Sequence, residues 1–87
     1  MKHFAAPSFW ENYEHLPPNI QKIADEYYAR LKSNLRHPSL HFKKIGKYRS
    51  VSVGFRHRAL AVEIPEGLVW FWIGTHDQYQ RMIKKEG

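Results

Sequence analysis

Cysteine is missing from all 87 residues. That excludes a disulfide framework and a cysteine zinc ribbon, and it is compatible with a cytoplasmic protein. Acidic residues are missing from the whole stretch between Tyr27 and Val62, which carries nine Lys and Arg and three of the six His. No apolar run approaches the roughly 18 residues of a membrane span, and the N-terminus lacks the long apolar core of a signal peptide. The chain is therefore expected to be soluble, to stay in the cytoplasm and to need no membrane. Internal repeats, linkers and low-complexity segments are also missing, so residues 1–87 are read as a single domain.

The residues that are present point to a folded, basic protein. Apolar residues make up 43% and aromatics 15%, too many for a disordered tail. A formal charge of +6 and a pI near 9.8 favour a polyanionic partner, and the acid-free stretch puts RNA first.

Ser8 with Glu11 three residues later has the pattern of a capping box, and Phe9, Tyr13 and Leu16 then share a helical face up to Pro17. From Pro18 a second stripe runs through Ile20, Ile23, Ala24, Tyr27, Leu31 and Leu35, and it should stop before Pro38. The two helices are expected to form a hairpin. After Ser39 the pattern becomes strand-like, with Leu40 and Phe42 alternating with His41 and Lys43 and a turn at Gly46-Lys47. Val51, Val53 and Phe55 alternate, and then the apolar parity flips to Leu60, Val62 and Ile64. That flip requires a turn or bulge around Gly54 to His57. Pro65-Glu66-Gly67 makes a tight connection, and Leu68 to Ile73 reads as a central strand covered on both faces. Thr75 and Gln78 form another capping-box pair, opening a last helix with Tyr79, Met82 and Ile83 inward. The expected class is α+β: an N-terminal helical hairpin on a twisted, mostly antiparallel sheet of three or four strands, followed by a short C-terminal helix.

Three constellations carry possible chemistry. Arg56 and Arg58 stand at i and i+2, which on a strand share a face, and guanidinium forks suit phosphate oxygens and the extra charge of a pentacoordinate phosphorus. A solvated strand edge would also explain them. His76 sits where a buried strand gives way to a helix, and a helix start favours the neutral imidazole, which can accept a proton and return it. Tyr79, one turn on, suits a phosphate hydrogen bond, base stacking or the core. Lys43, Lys44, Lys47 and Arg49 cluster on a strand and its turn and would hold RNA by phosphate attraction, or simply be solvated. Pro38 interrupts any helix between His37 and His41, so their i, i+4 spacing is not read as a metal pair, and neither metal nor other cofactor is expected. Trp10, Trp70 and Trp72 belong to the core or to a partner face.

The fragments "LPPNIQKIADEYYARLK", "HPSLHFKKI", "YRSVSVGFRHRALAV" and "VWFWIGTHDQY", in that order from Leu16 to Ile83, resemble the RelE/ParE superfamily of toxins from bacterial type II toxin–antitoxin systems. In its RNA-cleaving branch the resemblance implies a metal-independent endoribonuclease that enters the ribosomal A site and cuts messenger RNA, inhibiting translation. The substrate 2′-hydroxyl would attack the adjacent phosphate, giving a cyclic phosphate or 3′-phosphate and a free 5′-hydroxyl. On that pattern Arg58 matches the sheet arginine on the scissile phosphate, Arg49 a basic residue of the preceding strand, His76 the basic or histidine position after the last strand, and Tyr79 the terminal aromatic. An antitoxin would neutralise the basic face with an acidic or amphipathic segment. Two departures stand out: Met1 to Pro7 is scarcely strand-like, so the first strand is brief or missing, and Glu63 is the sole carboxylate of the central strands. That leaves His76 as base, acid or orienting donor. Two alternatives stay open: a gyrase-binding toxin of the ParE type that cuts nothing, and a catalytically inert RNA- or protein-binding relic of the fold.

Overall fold

The computed structural model describes residues 2–86, with side chains from 2 to 84. The elements run β1 (Lys2–Ala5), α1 (Pro7–Glu14), α2 (Pro18–Ser33), a single 3₁₀ turn (Pro38–Leu40), β2 (Lys43–Ile45), β3 (Tyr48–Val53), β4 (His57–Ile64), β5 (Gly67–Thr75) and α3 (His76–Glu86). The architecture is α+β as expected, but the sheet has five strands in the order β1-β5-β4-β3-β2 rather than three or four. It is mixed, because β1 pairs in parallel with β5. The segment that reads as scarcely strand-like thus supplies an edge strand, and Met1 lies outside the described residues. Gly67 lies against this edge, and a Cβ there would run into the Lys2 carbonyl. β1 can reach its partner only because that position is bare.

Register assigns each residue to a face. Ser52 opposes Arg58 and Ser50 opposes Leu60, while Val51 opposes Ala59 and Arg49 opposes Ala61. Alternation therefore puts Val51, Val53, Ala59, Ala61, Leu68 and Trp70 on one face, where the main core forms with Ala24 and Leu31 of α2 and the fully buried Leu40. The opposite face carries Ser50, Ser52, Arg58 and Leu60 and is covered by α3 through Tyr79.

The helices differ in detail from the expected hairpin. α1 packs on β5 and α2 on β3 and the 3₁₀ turn. Side-chain bonds link the pair: the Tyr13 hydroxyl donates to Asp25 (2.8 Å) and Gln21 Nε2 donates to the Tyr13 carbonyl (3.0 Å). Between the helices and the sheet lies a largely apolar cavity of about 120 Å³, walled in part by Phe9, Tyr13, Leu31, Val53, Ala59 and Ile73.

Several local expectations change. Ser8 does not cap α1; Ala6 precedes the helix without a side-chain cap, and Ser8 Oγ donates to the Phe71 carbonyl (2.7 Å). That carbonyl belongs to a bulge, since Leu60 faces Trp72 but Ala61 faces Trp70, leaving Phe71 as the extra residue. α2 ends at Ser33, so Leu35 lies beyond it while still packing on the core. Leu40 belongs to the 3₁₀ turn, not to a strand, and His41 follows it with φ 44°, which breaks the anticipated alternation. β5 has a neighbour on either side, yet its second face is only half covered: Val69, Phe71 and Trp72 remain partly exposed. The turns at Gly46-Lys47, at Gly54 to Arg56 and at Pro65-Glu66 all form. The Thr75–Gln78 capping box also forms: the Gln78 N–H donates to Thr75 Oγ1 (3.2 Å) and the Thr75 N–H to Gln78 Oε1 (2.9 Å).

Candidate functional site

Arg58 is buried, with 5% of its surface exposed, on the central strand β4. Its Nε donates to Ser50 Oγ (2.8 Å), Nη1 to Ser52 Oγ (2.8 Å) and Nη2 to the His41 carbonyl (3.2 Å). Each of these acceptors is uncharged. The guanidinium lies over the Tyr79 ring, 4.9 Å from its centroid. Burial pulls the Arg58 guanidinium below its ordinary value, an effect that Tyr79 opposes. Arginine nonetheless stays charged in a protein. A buried positive charge held by hydroxyls, a carbonyl and a ring, rather than by a carboxylate, is a standing attraction for an anion. The group also has more N–H donors than these three bonds use.

α3 brings the second half of the cluster. The capping box starts the helix at His76, and one turn later Tyr79, 3% exposed, lies on Arg58. The His76 and Tyr79 ring centroids are 5.7 Å apart. The imidazole is exposed to solvent, while the His76 backbone N–H donates to the Arg56 carbonyl (2.7 Å). His41 lies on the other side, with its Nδ1 3.3 Å from Ser52 Oγ. Arg58, Tyr79 and His76 thus form one cluster, with Ser50, Ser52 and His41 as its supports. Such a group can bind an anion and move a proton beside it. Among the described residues, no group of three or more His, Cys, Asp or Glu could hold a metal ion.

No protein-family model and no curated protein matches the chain. A solved structure does. A chain in the crystal structure of a RelB–RelE antitoxin–toxin complex from Methanococcus jannaschii aligns with a TM-score of 0.71 and 18% identity, over 91% of this chain and 96% of that one. At that identity the likeness shows the fold. The molecule shares the fold of that chain, and no helix of the described residues is long and apolar enough to cross a membrane.

The remaining candidates lie further out. Arg56 does not share a strand face with Arg58; it is exposed in the turn before β4 and reaches the cluster through its carbonyl. Lys43 opposes Ser50 and so shares the Arg58 face, whereas Lys44 opposes Arg49 on the helix-covered side. Lys47 lies in the turn with Nζ 5.4 Å from the Tyr48 ring centroid. The structure does not bring Arg49 to the cluster. Its Nη2 donates to Glu63 Oε1 (2.6 Å) on the opposite face of the sheet, which also accounts for the sole carboxylate of the central strands. The basic groups therefore occupy two walls and an edge, not one wall.

Sequence reasoning passed over Ser50, Ser52 and His41. The serines alternate with Val51 and Val53, a signal that was visible but that also fits a solvated strand face. For His41 there was no signal, because its contribution is a carbonyl aimed by a left-handed backbone.

Proposed function

We propose that the chain is the toxin of a toxin–antitoxin pair and cuts messenger RNA on the ribosome without a metal. One observation carries the reading: a buried guanidinium with only uncharged hydrogen-bond acceptors, Arg58, stacked on Tyr79 beside the exposed imidazole of His76. The fold shared with a chain of a toxin–antitoxin complex supports it.

In this reading the Tyr79 ring swings aside as a backbone phosphate docks on Arg58. The ribose 2′-oxygen attacks the adjacent phosphorus and gives up its proton, while the 5′-oxygen of the next nucleotide leaves and takes one up. The products are a 2′,3′-cyclic phosphate and a free 5′-hydroxyl. Arg58 balances the charge that builds on the phosphorus oxygens, and His76 handles one of the two proton transfers. Arg56 adds charge at the rim, Lys43 and Lys47 draw the strand in, and an acidic or amphipathic antitoxin segment covers the same groups in the resting pair.

Inducible expression followed by mapping of transcript ends tests the proposal. New ends with 5′-hydroxyls inside coding regions are expected, and His76→Ala should lower their yield by about 10²–10³-fold. Intact messages in growth-arrested cells would sink the reading. The burial of Arg58 favours one rival, a toxin of the same fold that binds a protein such as gyrase and cuts nothing; disturbed DNA supercoiling alongside intact transcripts would single it out.

A further inference from the structure

The turn between β3 and β4 holds an aromatic side chain that nothing in the fold uses. Phe55 is 105% exposed, the most exposed of the large hydrophobic side chains among the described residues. Its neighbours fix the backbone from both sides. Gly54 adopts φ +66° and lies so close to α2 that a Cβ there would stand 3.3 Å from Ile23 Cγ2. On the other side the Arg56 carbonyl accepts the His76 N–H at 2.7 Å, which ties the turn to the start of α3. The backbone is thus clamped on both sides of Phe55, and the ring extends into water. The clamp places it one residue from an atom bonded to His76, beside the exposed Arg56, within the acid-free stretch from Tyr27 to Val62.

We propose that Phe55 is a stacking platform for a single-stranded RNA base next to the phosphate held by Arg58, an inference that rests on the RNA-cleaving reading above. Every base offers a π-face, so a rigid exposed aromatic beside cationic groups binds single strands without needing a sequence. A basic surroundings favours the nucleic acid over an apolar protein anchor. Phe55 therefore sets how well the strand is seated, while Arg58 and His76 act on the phosphate.

The test measures cleavage of ribosome-bound messenger RNA by wild type, Phe55→Ala, Phe55→Leu and Phe55→Trp at limiting protein. Phe55→Ala and Phe55→Leu are expected to cut about tenfold more slowly, through a weaker KM and with kcat nearly unchanged, and Phe55→Trp to restore the wild-type rate. All four should melt at the same temperature, because the ring contacts solvent. Equal rates for wild type and Phe55→Ala overturn the inference and leave the nuclease standing. Full activity in Phe55→Leu also overturns it, since any apolar group would then serve. A wild type that cuts nothing removes the RNA reading first and this inference with it.

Discussion

Arg58 is a buried charge whose hydrogen bonds include no carboxylate. Its acceptors are two hydroxyls and a carbonyl, and desolvation opposes its charged form. Relieving the desolvation of a buried charge stabilises, whereas leaving the buried Ser50 and Ser52 hydroxyls without their donor costs about 1–3 kcal/mol. Arg58→Met is therefore expected to lose no more than about 2 kcal/mol of stability in denaturant titration, although it removes the proposed phosphate contact. A loss of several kcal/mol would instead mark Arg58 as structural. Two histidines set a pH dependence. His3 Nδ1 accepts the Trp70 indole N–H at 3.1 Å, and burial lowers its pKa from 6.5; burial lowers that of His57 in the same direction. With the folded-state value below the unfolded one, the unfolded chain takes up protons first as pH falls. This contribution to stability is full above about pH 6.5 and is lost progressively below it. The melting temperature should fall on acidification through that range, and His3→Gln with His57→Gln should flatten the slope.

Among the elements, α3 positions Tyr79 and His76 in the cluster. Thr75→Ala removes one half of the capping box and is expected to cost about 1 kcal/mol, loosening the turn that aims Tyr79 and His76. Chemical denaturation gives the cost, and faster amide exchange across the first turn of α3 locates it. Ala59 lines the cavity under the helices on a central strand, so Ala59→Val should fill space with a strand-favouring side chain and add about 1 kcal/mol. Much of this level was legible in the chain. The turns at Gly46, Gly54 and Pro65 announced themselves by composition, and Thr75 with Gln78 by spacing. β1 was not legible, since four residues carry little periodicity and its pairing is made with a strand more than sixty residues away. Nor was the bulge at Phe71: an apolar run without alternation gives no parity to break. Ser8 has the spacing of a cap, but α1 starts one residue earlier at Pro7, and the Ser8 hydroxyl donates to the Phe71 carbonyl instead of accepting a helix N–H.

For the whole molecule, the sheet decides what composition could only suggest. The charge of +6 is real, yet Arg49 is spent on Glu63 behind the sheet while Arg58 and Lys43 share the face toward α3. A linear sequence reveals a basic stretch, whereas the strand parity and the register reveal which wall each cation occupies. If Lys43, Lys47, Arg56 and Arg58 all meet phosphates, log affinity for RNA should fall against log salt with a slope of about −3. Lys43→Ala should reduce that slope by about 0.7. The most direct measurement is the single-turnover cleavage rate of ribosome-bound messenger RNA by wild type and by folded Arg58→Met. The account predicts efficient cutting by the first and a loss of at least about a hundredfold in the second. Equal rates would show that the buried guanidinium never meets a phosphate.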